Sequence, residues 1–169
     1  MMDSSSPQAV QSERHVTEVA QLAREIWQEY YVPIIGQKQV DYMVEKFQSE
    51  TAITKQLGEG YEYYVATREG QSAGYLAVVP DKTEPKLMIS KLYVRKAYRG
   101  SGIGKAMLLF VESLAISRGV KTLWLTVNKD NAQSIGWYSR MGFRNTGPIV
   151  ADIGGGFVMD DYKMEKALG

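Results

Sequence analysis

Three features of the sequence predict a mixed α/β fold built on one sheet. Apolar residues recur at steps of three and four up to about residue 57, give way to β-branched and aromatic runs between 61 and 94, and return to the helical period from 103. A strand passes into a helix through a turn holding Gly100, Gly102 and Gly104. No repeat or linker divides the 169 residues, a length usual for one domain and sufficient to bury a core. Helices interleaved with strands need a common sheet to pack against.

The elements follow in order. Residues 1–12 are polar and rich in Ser, Gln and Pro, and read as a flexible tail, with 13–169 as the single domain. A strand over 9–16 is only poorly marked. Val16, Val19, Ala20, Ala23, Ile26, Trp27 and Tyr30 make one apolar helical face, closed by Pro33 and Gly36. Val40, Met43, Val44 and Phe47 mark a second helix, and a short helical turn follows at 53–57. Two strands, 61–67 and 73–79, flank the hairpin turn Arg68-Glu69-Gly70-Gln71. A third strand spans 87–94. Ile103, Met107, Phe110, Val111 and Leu114 share a helical face that ends at Arg118 and Gly119, a cation in the last turn and a glycine just past it. A strand at 121–127, a helix at 131–141 closed by Gly142, and two strands around Gly154-Gly155-Gly156 complete the chain.

Composition narrows the function. The net charge is +1, which argues against a nucleic-acid protein working by charge alone. The chain contains no cysteine, so disulfides, thiolate metal sites and a cysteine nucleophile are excluded. No metal is indicated. The first residues lack the apolar core of a signal peptide, and no apolar run approaches the ~20 residues that span a bilayer. A cytoplasmic protein without a membrane partner, monomeric or homodimeric, is the expectation.

The run from Leu92-Tyr93-Val94 through Arg99-Gly100-Ser101-Gly102-Ile103-Gly104-Lys105 carries the clearest chemistry. The first amides of a helix have no partner inside it, and the helix dipole adds positive charge there. Glycines let an anion approach that backbone, and Arg99 and Lys105 can add side-chain charge. The spacing fits neither a P-loop nor the dinucleotide fingerprint G-x-G-x-x-G. It does fit Arg/Gln-x-x-Gly-x-Gly/Ala, at Arg99, Gly102 and Gly104. Further on, Asn131 opens a helix, Tyr138 lies two turns along, and Gly142-Phe143 ends it. Together the two segments resemble the GNAT (Gcn5-related N-acetyltransferase) superfamily over about residues 73–168. Leu92-Tyr93-Val94 and the closing Asp161-Tyr162-Lys163-Met164 suggest the PaiA-like polyamine acetyltransferases within it.

The resemblance implies a mixed, mostly antiparallel twisted sheet of six to seven strands with helices on both faces. It implies acetyl-CoA as donor and direct attack by a primary amine, without a covalent enzyme intermediate. Leu92, Tyr93 and Val94 would pair with the pantetheine arm through their backbone. Arg99, Gly100, Ser101, Gly102, Ile103, Gly104 and Lys105 would hold the pyrophosphate. Asn131 would cap its helix and bond the pantetheine, and Tyr138 would protonate the leaving thiolate. The strand before the loop carries Met88 and Ser90 where many relatives place a Glu, so the base is not evident, and Glu62, Glu84 and Asp152 stand unranked. His15, the one histidine, is expected to be exposed. Tyr31, Tyr61 and Tyr63 are expected to line the acceptor site, where aromatic walls suit a cation such as a small amine or polyamine. Glu59, Glu62 and Glu84 lie near in sequence and suit the same cation. Two alternatives stand beside this: a non-catalytic acyl-CoA-binding or sensing module, and a peptide or protein N-terminal acetyltransferase.

Overall fold

The computed structural model describes residues 6–169. Its strands are β1 (Gln8–Ala9), β2 (Glu62–Arg68), β3 (Gln71–Pro80), β4 (Lys86–Val94), β5 (Thr122–Asn128), β6 (Arg144–Gly154) and β7 (Phe157–Ala167). They form one seven-stranded sheet in the order β1-β2-β3-β4-β5-β7-β6. Every neighbouring pair is antiparallel except β4 and β5, which run parallel.

The expected tail needs correction where the structure describes it; residues 1–5 lie outside the described residues. Gln8 and Ala9 pair with Val65 and Tyr64 of β2. The Val10 amide donates to the Tyr63 carbonyl at 2.9 Å, and its side chain is buried. β2 would otherwise present an unpaired edge, and this segment satisfies it. Nor is there a strand over 9–16. The Ser12 hydroxyl accepts the His15 amide at 3.2 Å and starts α1 (Glu13–Tyr30). A helical turn, α2 (Val32–Ile35), and a longer helix, α3 (Gln37–Phe47), follow, then α4 (Glu50–Gly58).

α1, α3 and α4 cover one face of the sheet. Val19, Ala23, Ile26, Trp27, Val40, Met43 and Ile53 pack there with Tyr63, Val65, Tyr75 and Ala77. α5 (Ile103–Ser117) and α6 (Ala132–Arg140) cover the other. Met107, Leu108, Val111 and Ala115 meet Leu76, Val78, Leu87, Leu123 and Leu125 on that side. Burying apolar surface on both faces is the main favourable term holding the layers together.

Two irregularities of β4 make the site. First, β4 pairs with β5 only from Lys86–Thr122 to Met88–Trp124, and beyond those pairs the strands part. Second, Ala77 of β3 opposes Lys91 while Val78 opposes Ile89, which leaves Ser90 as an extra residue. Such a bulge shifts the in–out alternation by one. Leu87 and Ile89 face α5, as do Leu92 and Val94 beyond the bulge. Tyr93 now packs among the residues of α1 and α3. Lys91 lies on that same side and reaches α4.

The β6–β7 hairpin reaches across to α3. The Tyr42 hydroxyl donates to the Ile153 carbonyl at 2.7 Å, and its ring lies 5.1 Å from that of Phe157. A Cβ on Gly155 would stand 2.6 Å from the Tyr42 ring, so only glycine admits this close approach.

Candidate active site

Where β4 and β5 part, a cavity of about 570 Å³ opens. Its lining draws on both faces of the sheet: Val127, Trp137 and Tyr138 from the α5–α6 side, Trp27, Tyr31, Met43 and Asp161 from the α1–α3 side.

The loop end is built from neighbours in sequence. Leu92, Tyr93, Val94, Arg99, Gly100, Gly102, Gly104 and Lys105 line it. Gly102 caps α5 at φ 89°, in the left-handed region, with no side-chain cap. The first amide to bond back into the helix is that of Ala106, to the Gly102 carbonyl at 2.9 Å. The amides of 103–105 precede it and carry the positive end of the helix dipole. Lys105 and Arg140 line this end as well. Arg99 is already engaged: its Nε donates to the Val94 carbonyl at 3.0 Å, and its guanidinium pairs with Glu29 at 2.6 Å. It also lies 5.0 Å above the Tyr30 ring, so it ties the loop to α1. Ser101 and Ile103 stay out of the lining. The Ser101 hydroxyl turns to the Tyr98 carbonyl, and Ile103 is buried beneath α5.

Asn131 also lies outside the lining, 1% exposed. Its Oδ1 accepts the Ser134 amide at 3.2 Å and the Tyr30 hydroxyl at 2.6 Å. It therefore caps α6 and ties that helix to the end of α1. The cap orients Tyr138, which lines the cavity, packed edge-on against Trp137 and Phe143 with centroids 5.0 and 5.4 Å away. Burial alone pushes the Tyr138 hydroxyl above its ordinary pKa, so it is protonated at neutral pH.

Of the three tyrosines expected at the acceptor side, Tyr31 and Tyr61 line the cavity and Tyr63 does not. Tyr63 is 1% exposed; the alternation of β2 turns it and Val65 into the core, where its hydroxyl meets Gln56 and Lys91. Tyr31 stacks on Trp27 at 4.3 Å and meets the edges of Tyr30 and Tyr93. The three unranked carboxylates are elsewhere. Glu62 takes two hydrogen bonds from Arg118, at 2.8 and 2.9 Å, which hold it below the usual carboxylate range. Glu84 and Asp152 are exposed, and none of the three lines the cavity. Met88 and Ser90 do line it.

Sequence reasoning missed two buried charged residues there. Asp161 of β7 is 5% exposed and stands opposite Asn128 in register. Burial raises its carboxyl to about 6; a hydrogen bond with Thr126 opposes that rise and Asp160 adds to it. Tyr31 feels both Tyr138 and Asp161, so its hydroxyl sits within electrostatic reach of each. Lys91 is also 5% exposed. Its Nζ donates to the Phe47 carbonyl at 2.5 Å, to Gln56 Oε1 at 3.0 Å and to the Tyr63 hydroxyl. Burial brings its pKa down to about 7. The strand alternation of residues 157–164 could have flagged Asp161, which shares parity with Phe157 and Met159. Lys91 could not be found that way, because the bulge reverses its side.

Residues 19–143, well over half of the chain, match the profile of the Acetyltransferase (GNAT) family. The chain belongs to that family. GNAT relatives include the streptothricin acetyltransferase of Streptomyces lavendulae, 37% identical over 75 residues, which cover 44% of this chain and 40% of that one. Another is the [ribosomal protein bS18]-alanine N-acetyltransferase of Escherichia coli (strain K12), 32% identical over 56% of this chain and 63% of that one. The match thus spans less than two thirds of either relative. Among solved GNAT structures, the PaiA N-acetyltransferase of Thermoplasma acidophilum, in complex with coenzyme A, superposes with a TM-score of 0.74. It covers 96% of this chain and 99% of that one, and at 21% identity the likeness concerns the fold alone. Acetyl-CoA is the acyl donor of GNAT enzymes, and the free amides at the start of α5 suit its pyrophosphate. Among the described residues no helix is long and apolar enough to cross a membrane.

Proposed function

We propose that this protein transfers the acetyl group of acetyl-CoA to a small primary amine by direct attack. The observation that carries the proposal is Tyr138, a buried, protonated phenol at the gap between β4 and β5, beside the unpaired amides of α5. The loop amides with Lys105 would hold the pyrophosphate. The parted edge of β4 at 92–94 would pair with the pantetheine arm and present an amide to the developing oxyanion. As the C–S bond breaks, the Tyr138 hydroxyl would protonate the sulfur. Closing the site in this way removes water that would otherwise compete for the thioester.

The non-catalytic alternative leaned on the missing carboxylate in β4. A buried carboxylate in the same cavity, Asp161, weakens that support. A peptide α-amine is the second reading, favoured by the likeness to the bS18-alanine enzyme. A polyamine is favoured less than the sequence implied, because Glu59, Glu62 and Glu84 lie outside the cavity. The decisive experiment is thiol release from acetyl-CoA across a panel of simple amines, amino acids, peptides and polyamines. Acetyl-CoA binding without thiol release from any of them would leave the sensing module as the better reading.

A further inference from the structure

Asp161 is the single carboxylate among the described residues that line the cavity. It belongs to the acceptor end: it shares the α1–α3 side with Thr126, Met159 and Tyr31. Among the described residues, the one basic side chain that lines the cavity on that side is Lys91, whose Nζ donates to three acceptors and is thereby fixed in place. The remaining wall there is apolar or neutral, with Ile35, Met43, Phe47, Tyr61 and Met159. A positively charged nitrogen has one counter-charge in this space. A second would lie against an apolar wall or near Lys91, unpaired and away from water, which is costly.

We infer that Asp161 receives the acceptor's ammonium and takes its proton, and that the acceptor is a primary amine with one positive charge and an apolar or aromatic body. This rests on the acetyl-transfer reading above. At pH 7 freeing an alkylamine of its proton costs roughly 4–5 kcal/mol, so a carboxylate in contact with it has a defined task. The ammonium proton passes to Asp161 Oδ. The nitrogen lone pair forms the bond to the thioester carbon, and the C–S pair leaves on sulfur, which takes the Tyr138 proton. The second proton of the new amide nitrogen restores Tyr138, and Asp161 releases its own to solvent. The groups that face Asp161 are Tyr31 of the turn after α1, Thr126 of β5 and, beside it, Asp160, whose charge Lys129 meets at 2.5 Å. None of these removes its need to be ionised for the step.

The test compares 2-phenylethylamine with cadaverine and spermidine on the wild type and on Asp161→Asn. On the wild type, kcat/KM for phenylethylamine should exceed that for either polycation by about tenfold or more. Asp161→Asn should lose about 10²-fold or more at pH 7. It should keep the melting-temperature rise given by acetyl-CoA, and its deficit should shrink as pH rises and the free amine becomes abundant. A preference for cadaverine or spermidine overturns the inference on the wild type alone, whatever the variant does. So does an Asp161→Asn protein that binds acetyl-CoA and turns over normally at pH 7. Thiol release from no amine at all would instead remove the acetyl-transfer reading, and this inference with it.

Discussion

At one end of the cavity, residues 92–105 turn from strand to helix, and the anion site proposed there comes from a single stretch of chain. At the other, Tyr31, Met43, Lys91 and Asp161 come from the turn after α1 and from α3, β4 and β7, and meet only through the tertiary fold. The first end depends on local geometry, since amides free at a helix start are free in any helix. The second depends on packing and desolvation, which is why its charged groups have displaced pKa values. Recognition of a donor shared across the family suits the first kind of construction. Recognition of one acceptor suits the second.

Breaking the local end should give the largest effect. Gly104→Asp places a carboxylate where the anion would lie, while a Cβ there meets Trp137 and Val94 only at 3.6–3.7 Å, an ordinary contact. The variant should fold, and should lose the acetyl-CoA-induced rise in melting temperature. For the wild type that rise should grow with ligand, the underlying stabilisation reaching about 2.7 kcal/mol at a concentration of one hundred times Kd. Normal binding by the variant would put the pyrophosphate elsewhere. Tyr138→Phe, at the junction of the two ends, should reduce kcat about 10²–10⁴-fold with acetyl-CoA binding retained. Unchanged turnover with chemistry rate-limiting would assign the proton to another group.

The pH profile sharpens the acceptor end. A carboxylate base works when ionised, and burial raises Asp161 from the usual carboxylate range to about 6. kcat/KM should therefore fall as pH drops through about 6, and this limb should vanish in Asp161→Asn. A limb near pH 4 would mean that an exposed carboxylate is responsible. The smallest effect should come from Tyr63→Phe. It deprives Lys91 of one acceptor, so chemical denaturation should show a loss of about 1–3 kcal/mol. The acceptor KM should move little, because Tyr63 lies in the core. A large KM change would return Tyr63 to the acceptor wall.

The same contrast governs what could be read in advance. The glycine turn, the Asn131–Tyr138 helix and the strands on either side are legible because each is a local pattern of period and punctuation. Tyr63 was misassigned because Tyr61, Tyr63 and Tyr64 are equivalent until β2 has a register against β3. Asp161 has Asp160 beside it; alternation puts Asp161 on the side of Phe157 and Met159, but only the packing of that side against α1 and α3 shows it to be buried. Residues 8–12 read as tail because their order comes from the edge of a strand more than fifty positions away.

Ser90 carries a consequence of its own. In a strand, orientation is a matter of counting, odd to one side and even to the other. The extra residue works like an inserted letter in a reading frame: everything beyond it is read on the opposite side. Deleting Ser90 would alter no side chain that lines the cavity except its own. It would leave Ile89 and Lys91 adjacent, so that Lys91 and Tyr93 stay toward α1 and Leu92 and Val94 toward α5 by regular alternation, with the bulge and its local bend gone. Replacing Ser90 by alanine leaves the count intact. The two changes therefore make an informative pair: both should fold, and a loss of acetyl-CoA binding confined to the deletion would assign the parting of β4 from β5 to the bulge. At this position the extra residue shapes the path of the strand and leaves the choice of inward side chains to its neighbours.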